Sequence, residues 1–124
     1  MIYLDYAATT PVDQRVLDAM MPYFRENYGN PSSVHRLGQK AETAIDSARE
    51  KVAAVLHCKP EEIIFTSCGT ESDNLALRGA MMSRRNASGE TWILTSKTEH
   101  HAVSKTAEQL EKEYGFQLEW LDVD

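Results

Sequence analysis

Apolar positions along the chain follow two rhythms, one helical and one strand-like, and their alternation sets the expected architecture. From a candidate cap at Asp13 to about Asn27, the residues Val16, Leu17, Met20, Met21 and Phe24, with Tyr28 just beyond, recur at the three- and four-residue spacing of one helix face. Gly29-Asn30-Pro31-Ser32-Ser33 breaks that pattern, and Ser32 or Ser33 is placed to cap a second helix over roughly 34–57. Leu37, Ala41, Ala44, Ile45, Ala48, Val52, Val55 and Leu56 form its stripe, with Lys40, Glu42, Asp46, Arg49 and Glu50 largely outside it. Gly38 costs such a helix about 1 kcal/mol against alanine, so a close neighbour is one reason to keep it.

Strand-like runs begin with Ile63-Ile64-Phe65, an unbroken apolar triplet that predicts a strand over 62–67 buried on both faces. Trp92-Ile93-Leu94, ending at Thr95-Ser96, predicts a second buried strand. Phe116, Leu118 and Trp120, alternating with Gln117, Glu119 and Leu121, predict a third. Between the first two, a helix capped by Thr70, with Asp73 completing a variant capping box, is expected to reach about Arg84 before a turn at 86–89. Between the last two, Val103, Thr106, Ala107, Leu110 and Tyr114 mark a helix face that stops at Gly115. Ile2-Tyr3-Leu4 reads as a short extended segment, and Ala7-Ala8-Thr9-Thr10-Pro11 as a loop. Three strands alternating with four helices imply an α/β fold with parallel strands. Because the chain ends directly after a strand, the sheet is expected to be incomplete.

Composition narrows the function classes. The 124 residues are 42% apolar and 26% charged, ordinary for one globular domain with a real core. Thirteen basic against nineteen acidic side chains give a net charge of −6, which argues against nucleic acid or an anionic membrane as the main partner. No apolar run approaches the roughly 18 residues that span a bilayer. The N-terminal segment has no basic region and carries Asp5, so it does not read as a signal peptide. Cys58 and Cys68 are too few and too unpatterned for a disulfide scaffold, and a reducing cytoplasm is the default.

Candidate chemistry gathers at the ends of the expected strands, where open α/β sheets place their ligand sites. Thr66-Ser67-Cys68-Gly69-Thr70 is a strand-to-helix corner rich in small residues, an arrangement that collects free backbone N–H groups and binds anions, phosphate above all. Against that stand Glu71 and Asp73, which answer the helix dipole themselves, and the absence of Walker or Rossmann glycine spacing. His100 and His101 follow the second strand, where an imidazole either stacks on an aromatic ring and shuttles a proton or lies in solvent. Cys68 is either a thiolate at a helix N-terminus or a small buried residue. Lys97 forms a Schiff base only if desolvated, and otherwise is a surface lysine. No zinc-type spacing links the histidines and cysteines, so no metal site is expected.

Four separated stretches together carry a specific resemblance: 3–11 (YLDYAATTP), 29–35 (GNPSSVH), 65–74 (FTSCGTESDN) and 95–103 (TSKTEHHAV). In that order they resemble the N-terminal part of a cysteine desulfurase of the NifS/IscS group, pyridoxal-phosphate enzymes of fold type I in the class V aminotransferase superfamily. The resemblance covers the whole chain but only about the first third of the family's. It implies a single partial domain, with 1–33 as N-terminal arm and first helix and 34–124 as the start of the large cofactor-binding domain. Gly69 and Thr70 match the positions that hold the pyridoxal 5'-phosphate phosphate. His100 matches the histidine that stacks on the pyridine ring and assists proton transfer. Ala8 and Thr9 match a loop on the substrate side. Cys68 is a variant at the phosphate turn, not the sulfur-accepting cysteine.

The implied reaction converts L-cysteine to L-alanine and an enzyme-bound persulfide. The sulfur passes to an iron–sulfur scaffold protein or another acceptor, and the full-length enzyme is implied to be a homodimer. Alternatives are another class V enzyme, such as a selenocysteine lyase or an aminotransferase-like protein, and a non-catalytic domain binding a phosphate ligand. The Cys68-Gly69-Thr70 turn and the 30–35 spacing favour the desulfurase. The resemblance also implies that the Schiff-base lysine and the catalytic cysteine lie beyond Asp124, since none of Lys40, Lys51, Lys59, Lys97, Lys105 or Lys112 stands in the matching Ser-x-His-Lys context. The 124 residues alone are therefore expected to be inactive. The 62–67 strand is expected to lack sheet neighbours, leaving Ile63, Ile64 and Phe65 exposed and the isolated chain molten or prone to associate.

Overall fold

The computed structural model describes residues 2–123. The chain divides into two compact units, the first ending at Ile64 and the second beginning at Phe65.

In the first unit, α1 (Gln14–Arg25) starts where Asp13 accepts a hydrogen bond from the Arg15 backbone N–H at 2.8 Å. Pro22 lies inside the helix, where it removes one backbone donor. The helix ends three residues later, the Glu26 and Asn27 N–H groups both folding back onto the Pro22 carbonyl. None of its residues is buried.

The second helix, α2 (Arg36–Leu56), is capped not by Ser32 or Ser33 but by His35, whose Nδ1 accepts from the Gly38 N–H at 3.3 Å. The serines are committed elsewhere. Asn30 takes the Ser32 N–H on its side chain and the Ser33 N–H on its carbonyl, so an Asx turn shapes this loop. Gly38 is buried under that turn. A Cβ there would lie 2.1 Å from the Ser33 carbonyl oxygen, and one on Gly29 would lie 2.2 Å from the Leu37 carbonyl oxygen. The close neighbour anticipated for Gly38 is thus the backbone of its own entry loop.

After α2 the expected first strand does not form. Pro60–Glu62 is a 3₁₀ turn, closed by the Glu62 carboxylate accepting from the Lys59 N–H at 2.7 Å. Ile63 is extended, but 62–67 joins no ladder, and Ile64 and Phe65 are 68% and 49% exposed. An apolar triplet supplies strand propensity; a strand also needs a second strand beside it, and here the Ile63 carbonyl accepts from the Arg49 guanidinium at 3.3 Å and its N–H donates to the Pro60 carbonyl instead. The sheet therefore has two strands, not three.

The second unit runs α3 (Gly69–Ser88), β1 (Trp92–Ser96), α4 (His101–Tyr114) and β2 (Gln117–Leu121). The strands pair in parallel, with Ile93 opposite Leu118 and Thr95 opposite Trp120, the β-α-β unit that the alternation of periods predicts. Alternation along β2 sends Leu118 and Trp120 inward and Gln117 and Glu119 outward. In β1 only Ile93 is buried, while Trp92 and Leu94 lie exposed on the opposite face, so this strand is covered on one side only. Ile93, Ala107, Leu110 and Phe116 form the core, with Leu77, Met81, Met82 and Leu118 packed against it. Both helices end on left-handed glycines, Gly89 (φ 74°) and Gly115 (φ 70°). Helix α3 outlasts the expected stop near Arg84 and uses only Gly89 of the foreseen turn. No described helix is long and apolar enough to cross a membrane.

Candidate active site

The cap of helix α3 lies two residues earlier than expected. Cys68, in extended conformation, is the N-cap, and Thr70 sits in the first turn rather than capping it. Hydroxyls and carboxylates tie the preceding corner together. Glu71 accepts from the Ser67 N–H at 2.7 Å and from the Ser67 hydroxyl at 2.6 Å, and the Ser72 hydroxyl reaches the Cys68 carbonyl at 3.3 Å. Glu71 thus serves the turn ahead of the helix, not the helix donors. The N–H groups of Gly69 and Thr70 keep no acceptor within the helix, and the Thr70 N–H leans toward the Cys68 sulfur. They remain a donor pair at the positive end of a twenty-residue helix.

Donors of the first turn also act on Cys68. Its exposed thiol is held below its ordinary pKa, first by the Glu71 N–H and then by the Ser67 hydroxyl, with a smaller contribution from the Thr70 N–H. Ser67 has one hydroxyl proton, and the 2.6 Å carboxylate takes it over the sulfur 3.8 Å away. The helix N–H groups are therefore the dependable support for a thiolate at this position.

His100 stands at the matching place on α4. It is the N-cap, its Nδ1 accepting from the Ala102 N–H at 3.1 Å. That bond fixes the ring's orientation and, in the neutral imidazole, leaves the proton on Nε2. His101 packs beside it, ring centres 6.1 Å apart, and is the first helical residue.

Thr70 and His100 line one open cleft between the starts of α3 and α4, together with Asn74, Arg78, His101 and Thr106. Two of the residues singled out from the sequence thus meet at one place, with Gly69 adjacent in the chain. Ala8 and Thr9 belong to the other unit. They lie in an exposed turn whose N–H groups donate to the Asp5 carbonyl, and the Tyr3 hydroxyl donates to the Thr9 carbonyl at 3.2 Å. Lys97 is exposed, on a separate cleft with Glu99, Ser104 and Trp120.

A polar cluster behind the cleft escaped the sequence reading. Asn74 is hydrogen-bonded to Thr70, Ala102 and Thr106, while Arg78 donates to Gln109 across the two helices. Thr106 falls on the apolar face by spacing and counts there as core. The one available signal was Asn74 itself, a weak helix former in the middle of a helix.

Glu71 carries a pH prediction. Its pKa is lowered from the ordinary 4.5, first by the Ser67 hydroxyl and then by the Ser67 N–H. A depressed carboxylate stabilises the folded turn fully above its unfolded value and loses that contribution as pH falls through the folded one. The Ser67 amide resonance is expected to hold steady down to about pH 4.5 and then move as Glu71 is protonated. In Glu71→Gln that transition should vanish; an unchanged titration would show that another group controls the turn.

Residues 2–124 match the family described as Aminotransferase class-V. Over 123 residues the chain is 49% identical to cysteine desulfurase IscS of Dictyoglomus turgidum, covering 99% of this chain and 30% of that protein. It is 52% identical over 124 residues to cysteine desulfurase IscS of Vibrio cholerae O395, covering 98% and 30%. A solved NifS-like protein superposes with a TM-score of 0.86 at 43% identity, covering 99% of this chain and 33% of that one. SspA in complex with cysteine superposes with a TM-score of 0.82 at 40% identity, covering 96% and 33%. The chain spans about a third of the length of the relatives it matches. With an α/β fold, paired helix N-termini opening on one cleft and a match along its length, the chain belongs to the class-V aminotransferase family.

Proposed function

We propose that these residues form one wall of a pyridoxal 5'-phosphate site in a cysteine desulfurase. The observation that carries the reading is the shared cleft of Thr70 and His100, each at the start of its own helix. The donor chemistry fits the cofactor. The Gly69 and Thr70 N–H groups and the Thr70 hydroxyl suit a phosphate, and an added Cβ at Gly69 would meet nothing within 4 Å, so the approach is open. The His100 ring, held through Nδ1, has a face for stacking and an Nε2 proton to hold or pass on. The cofactor when bound supplies the electron sink for bond cleavage at the substrate's α-carbon side.

L-cysteine is the substrate in this reading, supported by the names of the relatives and by the cysteine complex of SspA. Alanine and a persulfide are the products, with an iron–sulfur scaffold or another acceptor as the sulfur's destination and a homodimer as the working assembly. The cofactor-linking lysine and the sulfur-accepting cysteine are not assigned to any residue of this chain, which by itself is inactive. Ala8 and Thr9 take the substrate side. A cytoplasmic setting accords with two free cysteines.

The test compares pyridoxal 5'-phosphate with unphosphorylated pyridoxal by fluorescence titration. A hydrogen bond to a charged group is worth about 1.5–3 kcal/mol, so Thr70→Ala should weaken the phosphorylated compound by roughly tenfold or more and leave pyridoxal unaffected. His100→Ala should weaken both. Equal affinity of the unaltered protein for the two compounds would refute a phosphate role for the turn.

A further inference from the structure

We infer that Asn74 and Thr106 are a positioning pair that ties the first turn of α3 to the first turn of α4, and so sets the placement of the Thr70 donors relative to the His100 ring. The inference rests on the cofactor-wall reading for its purpose, though not for its geometry.

The Asn74 amide has its orientation decided by its neighbours. Its nitrogen faces two carbonyl oxygens, Thr70 at 2.9 Å and Ala102 at 3.4 Å. Its oxygen faces the Thr106 hydroxyl at 2.7 Å and the Arg78 guanidinium at 3.5 Å. Flipping the amide would set its oxygen against two acceptors. Both N–H donors are therefore spent on carbonyls, one in each helix. Thr106 is 3% exposed, and its hydroxyl also lies 2.7 Å from the Ala102 carbonyl, the usual resting place of a helical threonine. With one proton to give, it donates to Asn74, because Ala102 already receives from Asn74 while the amide oxygen has only the distant guanidinium besides.

Ala102 is the hub of this arrangement. Its carbonyl is held by Asn74 and its N–H holds the His100 imidazole through Nδ1. A continuous path of hydrogen bonds thus runs from the Thr70 carbonyl through the Asn74 amide and residue 102 to the His100 ring. Asn74 is too far along α3 to serve as a cap, and an asparagine costs a helix interior several tenths of a kcal/mol. Bridging two helix starts is what it gains there. The hydrogen bonds of the Thr106 hydroxyl run to Asn74 and Ala102, and through these two it bears on Thr70 and His100.

The test uses the full chain with ¹⁵N-threonine and ¹³C-histidine labels, without added ligand, and then a titration with pyridoxal 5'-phosphate. Thr106→Val should displace both the Thr70 amide and the His100 Cε1 resonances, whereas Thr106→Ser, which keeps the hydroxyl, should leave them in place. Asn74→Asp, nearly isosteric but without the two donors, gives an independent reading and should displace both. Affinity for pyridoxal 5'-phosphate should fall about tenfold in Thr106→Val and Asn74→Asp, and the double variant should be no worse than Asn74→Asp alone. Variants that melt earlier yet keep both resonances unmoved would reduce the pair to packing and overturn the inference. If the unaltered protein takes up no pyridoxal 5'-phosphate while the resonances still move together, the positioning stands and the cofactor reading falls.

Discussion

Leu110→Ala is expected to remove most of the stability of the second unit. Leu110 is the largest fully buried side chain, 0% exposed, and it meets Ile93, Ala107 and Phe116 where α4 crosses the two strands. Truncating a buried leucine costs about 2–5 kcal/mol, the lost transfer energy plus the cavity left behind. A unit of this size has roughly 3–9 kcal/mol to lose. The surrounding groups have little means to collapse into the gap. Ala107 is small, Phe116 is pinned beside Gly115 and by the Arg85 guanidinium 5.3 Å from its ring centre, and the strands are fixed by their ladder. Urea unfolding followed by far-ultraviolet circular dichroism should show the midpoint falling steeply, with α4 and both strands lost together. Leu110→Met, which conserves volume, should cost less than about 1.5 kcal/mol. A loss below about 1 kcal/mol for the alanine variant would mean that the core is loose enough to refill, contrary to its burial.

The elements that the pattern predicted well are those whose hydrogen-bonding needs are met, α4 within itself and β2 by its parallel ladder with β1. Helix α4 carries an apolar face closed by Gly115 and strand β2 an alternating run, and both appear within a residue of expectation. The strand over 62–67 failed for the opposite reason. Ile63-Ile64-Phe65 has the composition of a strand, but pairing is a property of two segments, and a single run states only one side of it. Cap choice failed similarly. Ser32, Ser33 and Thr70 are all good N-caps by type, yet Asn30 commandeers the serines' N–H groups, and the backbone enters α3 one residue before Thr70.

For the site, the pattern located the two helix starts but not what joins them. Gly69, Thr70 and His100 are singled out only through the resemblance carried by 65–74 and 95–103; the residue types by themselves mark no more than a strand-to-helix corner and a pair of loop histidines. Asn74 and Thr106 are not singled out, because a helical threonine at core spacing looks apolar in a periodicity count. Their role depends on a contact between residues 32 apart in sequence. Glu71 sits in the first turn of its helix as expected, but its carboxylate hydrogen-bonds back to Ser67 and not to the helix N–H groups.

Gly38→Ala and Gly79→Ala are the same substitution inside two long helices, and they are expected to move stability in opposite directions. By propensity alone each should gain about 0.5–1 kcal/mol, through the better helix former and the less flexible unfolded chain. Gly79 in α3 has nothing within 4 Å of an added Cβ, so Gly79→Ala should show that gain. Gly38 in α2 faces the carbonyl oxygens of Ser33 and Asn30 at 2.1 and 2.7 Å. These are backbone atoms of a turn already fixed by the Asn30 hydrogen bonds, and Pro31 between them stiffens it further, so no side chain can swing aside. Forcing the loop off the helix should cost at the upper end of about 1–3 kcal/mol and break the His35 cap, since its Nδ1 partner is the Gly38 N–H itself. Amide hydrogen exchange read separately over α2 and α3 distinguishes the cases: slower exchange in α3 for Gly79→Ala, faster exchange from the first turn of α2 onward for Gly38→Ala. Stabilisation by Gly38→Ala would mean that the entry loop does not rest on the helix, and the burial of that glycine would lose its explanation.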